Sequence, residues 1–543
     1  MGRIHGGRLI ARALKAEGVD AVFTLTGGHI VPILDGCVEE GIRIVDVRHE
    51  ESAGHAAEAY TRLTGRLGVA AVTAAPGVTN TVTAVMNAYM SHTPMLVLGG
   101  RHLIRQELAG GLQEMDHPPL FRTITKLATT AWETARLADY IAIAARHAFS
   151  GRGGPVFIDV PLDVQSGMVD DTTPLPHGYR ATEPVGADPA AVEFVAHVLA
   201  SCDRPVLFAG SGIRGEGAAA LVEVAEALHA PVFANAGARG ALPHDHSLLG
   251  VRGRSHAFAG ADVVLALGVD WDFRTGYGQK ISPQATVIQV DAEPTKLGWN
   301  RPADHAVVAN PGRFLTQLAK QAPLFAPSAE RSWTAEIQAV ETERRKAAHA
   351  AADAGGDGLV MPEYFGRTVG AFFGGDSIVA VDGGDIVATT AKWLQVATPG
   401  HVLEPGPAGT LGTGPGFALA AAVVHPEKRV GIVFGDGGFG FNGFEFDTYV
   451  RHGLPVIGVV GNDGVWNNIK TFHRMFYPER VVASDLGRRP YHDVISALGG
   501  HGELVTTATE LAPALERAAA SGKPALVNVH LEETFRASSN YAG

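Results

Sequence analysis

The fold class predicted for this chain is α/β, with three consecutive domains that each have a parallel sheet flanked by helices. Three observations carry that expectation. Short β-rich runs, Gly-containing turns and helical stretches alternate along the whole sequence, as in layered α/β domains. Two unpatterned stretches, 171–186 (DTTPLPHGYRATEPVG) and 352–358 (ADAGGDG), read as linkers and divide it into units at 1–178, 187–330 and 358–543. Residues 69–100 and 430–461 also align at a constant offset of 361, with Pro94 falling on Pro455 and strand, turn, helix and strand in step. Any two βαβ units share that outline, so chance similarity is the competing explanation.

Taken in order, the N-terminal stretch MGRIHGGRLIARALKAEG reads as an amphipathic helix without a long apolar core. It does not read as a secretory signal. No apolar run approaches the ~20 residues of a membrane span. In the middle unit, the apolar run Val206–Ala209 meets Gly210-Ser211-Gly212-Ile213-Arg214-Gly215 before a helix expected at about 217–229. This is a G-x-G-x-x-G match, weak when alone. An acid, Asp291, follows the strand expected at Thr286–Val290. A charged helix is expected over about 333–351.

The last unit holds the most informative segment. The β-rich run Gly431–Phe434 enters the turn Gly435-Asp436-Gly437-Gly438, a helix is expected from about Gly443 to His452, and a second strand follows at Val456–Val460. Such crossovers are right-handed with parallel strands. Asp436 and Asp463 then lie just past the carboxyl ends of neighbouring strands, where open α/β sheets bind ligands. Two carboxylates beside glycine N–H groups suit a divalent cation bridged to a diphosphate. An ordinary pair of tight turns would explain the glycines but not both acids. Position 75, which matches Asp436 at the same offset, is alanine, so only the third unit is expected to hold an ion. A mononucleotide P-loop is disfavoured because Gly522-Lys523 is followed by Pro524.

Bulk properties exclude some classes. A net charge of −12 argues against non-specific nucleic-acid binding. The two cysteines, Cys37 and Cys202, cannot build a disulfide framework, and a reducing cytoplasm fits. No Cys/His spacing suggests a metal site.

These residues resemble the thiamine diphosphate-dependent enzymes of the acetohydroxyacid synthase superfamily. That family's signature is Gly-Asp-Gly followed some two dozen residues on by Asn-Asn. The likeness covers the whole chain. Arg48-His49-Glu50 and Ala56-Ala57-Glu58-Ala59-Tyr60 are similar to family motifs, as are Pro76-Gly77-Val78-Thr79-Asn80, Gln113-Glu114-Met115-Asp116 and Gly409-Thr410-Leu411-Gly412. The resemblance implies a thiamine diphosphate-binding fold with pyrimidine-binding, Rossmann-like central and diphosphate-binding domains. It also implies a homodimer or homotetramer with each coenzyme between two chains.

By the same resemblance, Glu50 would hydrogen-bond the aminopyrimidine, where a buried carboxyl can share a proton with a ring nitrogen. Pro76 and Asn80 would line that half of the site. Leu411, beside Gly409, would prop the coenzyme into a bent shape, a proximity effect. Gly384 and Ile386, in Gly383-Gly384-Asp385-Ile386, would approach the diphosphate together with Gly435, Gly437 and Gly438. Asp463 departs from the commoner Asn. With Asp436 and the Val465 carbonyl it would hold Mg²⁺, with Asn462 the alternative ligand.

No His-His pair of the pyruvate decarboxylase kind is present, and Gly464-Val465-Trp466-Asn467-Asn468 replaces the usual synthase pattern after the metal ligand. Phe439-Gly440-Phe441, Glu445-Phe446-Asp447-Thr448 and Val450-Arg451-His452 look like 2-hydroxyacyl-CoA lyases. The resemblance extends to actinobacterial lyases that cleave 2-hydroxyisobutyryl-CoA to acetone and formyl-CoA. An acetolactate synthase and a catalytically idle regulatory paralogue are the alternatives. Gln113 would orient an acyl-CoA substrate, and the tail Phe535–Gly543 would close over it. ADP or another adenine nucleotide would occupy the central domain near Arg214 and Asp291.

Overall fold

The computed structural model describes residues 2–325, 332–354 and 358–534. They build three six-stranded parallel sheets. In the N-terminal sheet the strands lie in the order Arg43–Asp46, Ala21–Leu25, Gly68–Val72, Met95–Arg101, Pro155–Pro161, Leu127–Thr130. Counted along the chain, that is 2-1-3-4-6-5. The C-terminal sheet repeats the same order with Val402–Leu403, Ile378–Asp382, Val430–Gly435, Ile457–Asn462, Ala525–His530 and His501–Val505. Shared strand order goes beyond what generic βαβ units require, so the 361-residue offset reflects one architecture used twice. The central sheet instead runs 3-2-1-4-5-6, the doubly wound dinucleotide order.

Apolar runs buried on both faces explain why these strands form: Val69–Val72, Leu96–Leu98 and Ile432–Phe434 are completely buried. The first and third units share a continuous core. The helix Glu50–Thr64 packs against Thr413–Val424, and Ala53, Ala56 and Tyr60 lie in one cluster with Phe417 and Leu419. Gly416 permits that approach, since a Cβ there would sit 2.6 Å from the His55 Cβ and 2.7 Å from the Ser52 carbonyl oxygen. Burying each large ring, such as Phe417, contributes roughly 2–3 kcal/mol.

Some local expectations change. The N-terminus begins with a short strand, Arg3–His5, paired antiparallel with Met168–Asp170, before the helix Gly6–Ala16. The charged helix spans Ser332–Asp353 and packs on the central core through Trp333 and Ile337, so it enters the stretch read as a linker at 352–358. The helix expected at Gly443–His452 spans Glu445–His452, and a further helix, Asp436–Asn442, starts inside the stretch read as a Gly-rich turn. Residues 437–440 stay helical despite three glycines because the sheet end and its packing override their weak propensity.

Candidate active site

In the third sheet the strand order reverses between Ile378–Asp382 and Val430–Gly435, which opens a crevice at their carboxyl ends. The candidate cofactor residues of that half gather there. Asp436 opens a helix at the tip of one strand. Its two carboxylate oxygens accept the N–H groups of Gly437 and Gly464, each at 2.9 Å. Asp463 follows the neighbouring strand and accepts the Val465 N–H at 3.2 Å. Burial pushes the Asp436 carboxyl up to about 6. Burial, then the nearby Asp436 charge, pushes Asp463 up to about 7. Asn462 faces other groups. Its amide donates to the Arg489 carbonyl at 3.2 Å and to Asn528 Oδ1 at 3.0 Å.

On the other lip, Gly383 and Gly384 have positive φ values of 85° and 61°, and Leu411 Cδ2 comes within 3.0 Å of where a Gly383 Cβ would stand. Gly409 closes a short turn with φ 61°. Ile386 is buried beside Gly461. Asp382 is completely buried and accepts the Gly412 and Gly414 N–H groups at 2.9 and 2.8 Å, which fixes the Leu411 turn against the Gly383 turn. Sequence reasoning missed Asp382, although it stands directly before Gly383-Gly384. It also missed Trp466, whose ring lies flat on Gly437, and Asn467, whose amide bonds Asp385 at 3.2 Å and the Thr534 carbonyl at 3.1 Å.

Glu50, Pro76 and Asn80 assemble separately, in the first unit. Glu50 starts its helix, is buried, and accepts the Asn80 amide at 2.9 Å. Pro76 opens the short helix Pro76–Thr79 after Ala75, whose backbone adopts φ 47°, ψ −100°. The Ala75 N–H donates to His117 Nε2 at 2.9 Å, and His117 Nδ1 pairs with the buried Asp159 at 2.9 Å. Among the described residues, no hydrogen bond or ion pair joins Glu50 to the crevice of its own chain. Gln113, on the loop after Met95–Arg101 with φ 59°, faces His29, whose Nδ1 lies 3.3 Å from Thr73 Oγ1, and Thr73 in turn packs on Gly77 beside Glu50. The tail Phe535–Gly543 lies outside the described residues.

A second crevice, of about 280 Å³, opens where the three units meet and is lined by Gly212, Arg214, Asp270 and Asp291. Asp291 is the last residue of its strand, and its carboxylate is already taken. Arg152, from the first unit, binds it through Nε at 2.7 Å and binds Asp270 at 2.8 Å. Arg214 donates to the Arg62 carbonyl. Burial, and then the neighbouring Arg62 charge, lower its guanidinium to about 10.

Comparison with known proteins agrees with this layout. Residues 4–120 match the N-terminal TPP binding domain of thiamine pyrophosphate enzymes, 192–318 their central domain, and 382–529 their C-terminal TPP binding domain. The acetolactate synthase large subunit IlvG of Mycobacterium tuberculosis is 39% identical over 530 residues, covering 97% of this chain and 95% of that protein. The 2-hydroxyacyl-CoA lyase 2 proteins of Homo sapiens and Caenorhabditis elegans are each 35% identical, covering 98% of this chain and 90% and 91% of theirs. With three domain matches and relatives aligned almost end to end, the chain belongs to the thiamine pyrophosphate enzymes, in the superfamily that includes acetolactate synthases and 2-hydroxyacyl-CoA lyases.

Proposed function

We propose that this protein is a thiamine diphosphate- and Mg²⁺-dependent 2-hydroxyacyl-CoA lyase that cleaves the C1–C2 bond. The products are formyl-CoA and an aldehyde or ketone, in the narrowest form acetone from 2-hydroxyisobutyryl-CoA. The donor set fits the coenzyme. A buried carboxylate, Asp436, and a half-buried one, Asp463, repel one another at the strand tips, and a hard cation would relieve that repulsion. Thr410 Oγ1 and Asn467 Oδ1 are buried beside the crevice with no hydrogen-bond partner among the described residues. Asp436 and Asp463 would hold Mg²⁺ together with the Val465 carbonyl; Asn462, whose Oδ1 is buried with no hydrogen-bond partner among the described residues, is the alternative ligand. The glycine turns 383–384 and 435–438 would receive the diphosphate, with Ile386 and Gly409 beside them. The chemistry such a coenzyme supplies is an electron sink for carbon–carbon cleavage beside a carbonyl.

In this reading Leu411 holds the bend, while Glu50, steadied by Asn80 and approached by Pro76, handles a proton at the pyrimidine. Gln113 orients the thioester. In the overall reaction the substrate's 2-hydroxyl loses its proton as its carbon becomes the carbonyl carbon of the ketone, and C1 gains one to leave as formyl-CoA. The observation that favours a bulky acyl thioester over pyruvate is the apolar rim of the crevice. Phe441 is 57% exposed against the Trp466 ring, and the helix after Trp466 exposes Ile469 and Phe476. The 39% identity to IlvG favours acetolactate synthesis as the second reading.

A homodimer or homotetramer is proposed because Glu50 has its partners away from its own chain's crevice. A cytoplasmic site is also proposed; no helix among the described residues is long and apolar enough to cross a membrane. The junction cavity is proposed to take ADP or another adenine nucleotide, with Arg214 as a lining cation that has no acid partner among the described residues and Asp291 already paired with Arg152.

The test is incubation of the purified protein with thiamine diphosphate, Mg²⁺ and either substrate. Formyl-CoA with acetone from 2-hydroxyisobutyryl-CoA supports the lyase, and acetolactate from pyruvate supports the synthase. Neither product would indicate the idle paralogue. Glu50→Gln should abolish turnover while coenzyme still binds; near-normal rates would reject the assignment.

A further inference from the structure

The helix Glu445–His452 of the third unit grips the turn of the first unit that delivers Glu50, and we propose that Glu445 is a positioning residue for that carboxyl. The inference rests on the role proposed for Glu50. Glu445 is only 1% exposed. Its Oε1 accepts the Arg48 N–H at 3.0 Å and the His49 N–H at 3.1 Å, and its Oε2 accepts the Thr448 hydroxyl at 2.5 Å. A carboxylate bound by two successive backbone N–H groups fixes the main chain on both sides of the peptide between them. The residues so fixed are the two immediately before Glu50. His49 is in extended geometry, φ −146° and ψ 137°, and caps the Glu50 helix by accepting the Glu51 N–H. A shift at that cap would swing the Glu50 side chain directly.

The grip is broader than one residue. Arg451 pairs with Asp46, and His452 Nε2 lies 3.0 Å from Asp46 Oδ1. Asp447 lies 3.7 Å from Arg48 Nε. One face of this helix therefore meets the chain at Asp46, Arg48 and His49. The same helix follows Asp436–Asn442 after a two-residue joint, so Asp436 and the partner of the Glu50 turn lie on successive helices. No charge or motif near position 50 requires such a partner. The contact spans nearly 400 residues of sequence.

The test uses the full-length protein with thiamine diphosphate and Mg²⁺. It compares three quantities: coenzyme Kd by calorimetry, Tm, and the rate at which the coenzyme's C2 proton exchanges with deuterium, read by NMR after acid quench. Glu445→Asp is one methylene too short, and should slow exchange about tenfold or more while Kd changes less than about threefold, the mark of a misplaced group rather than a lost site. Glu445→Gln keeps an acceptor oxygen for both N–H groups and should restore exchange to within about threefold of wild type. Thr448→Val removes only the hydroxyl that orients the carboxylate; a smaller slowing of the same kind is expected, and this variant carries the test should Glu445→Asp fail to fold. Wild-type exchange in folded Glu445→Asp and Thr448→Val, or Kd and exchange lost in equal proportion in them, would overturn the proposal. If Glu50→Gln alone leaves exchange unchanged, the reading beneath it fails as well, and that result appears without any change at position 445.

Discussion

Gly437→Ala is the substitution for which the geometry gives the sharpest expectation. An alanine Cβ at this position would lie 2.2, 2.5 and 2.6 Å from three carbons of the Trp466 ring. Carbon atoms settle at about 3.5–4.0 Å, so the ring or the turn must retreat by about 1.5 Å. Helix propensity would favour alanine over glycine by about 1 kcal/mol, but overpacking of this size costs about 1–3 kcal/mol or more. The clash therefore wins. The indole has little freedom to yield, since the Trp466 backbone is held by Ser484 and Lys470. If the turn yields instead, Asp436 moves with it, because the Gly437 N–H is one of the two groups that orient its carboxylate. Calorimetric titration with thiamine diphosphate and Mg²⁺ should show affinity at least about tenfold weaker, a loss of about 1.4 kcal/mol. Adding Trp466→Ala removes the obstacle, and the double variant should recover about 1 kcal/mol or more over additivity. Wild-type affinity in Gly437→Ala, or a double variant no better than Gly437→Ala, would refute the steric argument.

Two further predictions concern charge. The Asp436 and Asp463 carboxyls stand at about 6 and about 7, above the ordinary carboxylate range, so in the ion-free chain protons compete with the cation. Apparent Mg²⁺ affinity should therefore weaken as pH falls from 8 to 6, by about twentyfold if the two sites titrate independently. Through these two groups alone, the ion-free fold is favoured at low pH, and that stability falls progressively from about pH 4 until it is lost as pH passes 6 to 7. Calorimetry at fixed coenzyme checks this, and a flat profile would contradict a shared ion; EDTA should release the coenzyme. Arg152→Ala should strand Asp270 and Asp291 without their guanidinium, at a cost of about 3 kcal/mol or more. Thermal melting should show the central unit loosened, and an unchanged Tm would mean that solvent or another cation replaces the arginine.

What could be read from the sequence was chemistry with local signatures. Asp436 and Asp463 stood out because acids next to glycine turns at strand ends have few other uses, and the 361-residue offset emerged because strand, turn and proline recur together. The contacts made by Asp382, Trp466, Arg152 and Glu445 stayed hidden for a common reason, although Trp466 and Glu445 fall in the motifs. Each acts through a partner on another element or in another unit, and periodicity tells which face is buried but not what buries it. The repeated sheets show what the offset alone could not. Position 75 occupies the same turn as Asp436, yet there the backbone is held in a sparsely populated conformation and its N–H is bound by His117, backed by Asp159. One copy thus places a carboxylate at the turn, where the proposed cation would sit. The other replaces it with a pinned peptide, which sets Pro76–Asn80 where Asn80 can hold Glu50. A single strand–turn–helix plan thus carries two chemically different turns, because both the side chain and the local backbone conformation at one position differ between the copies.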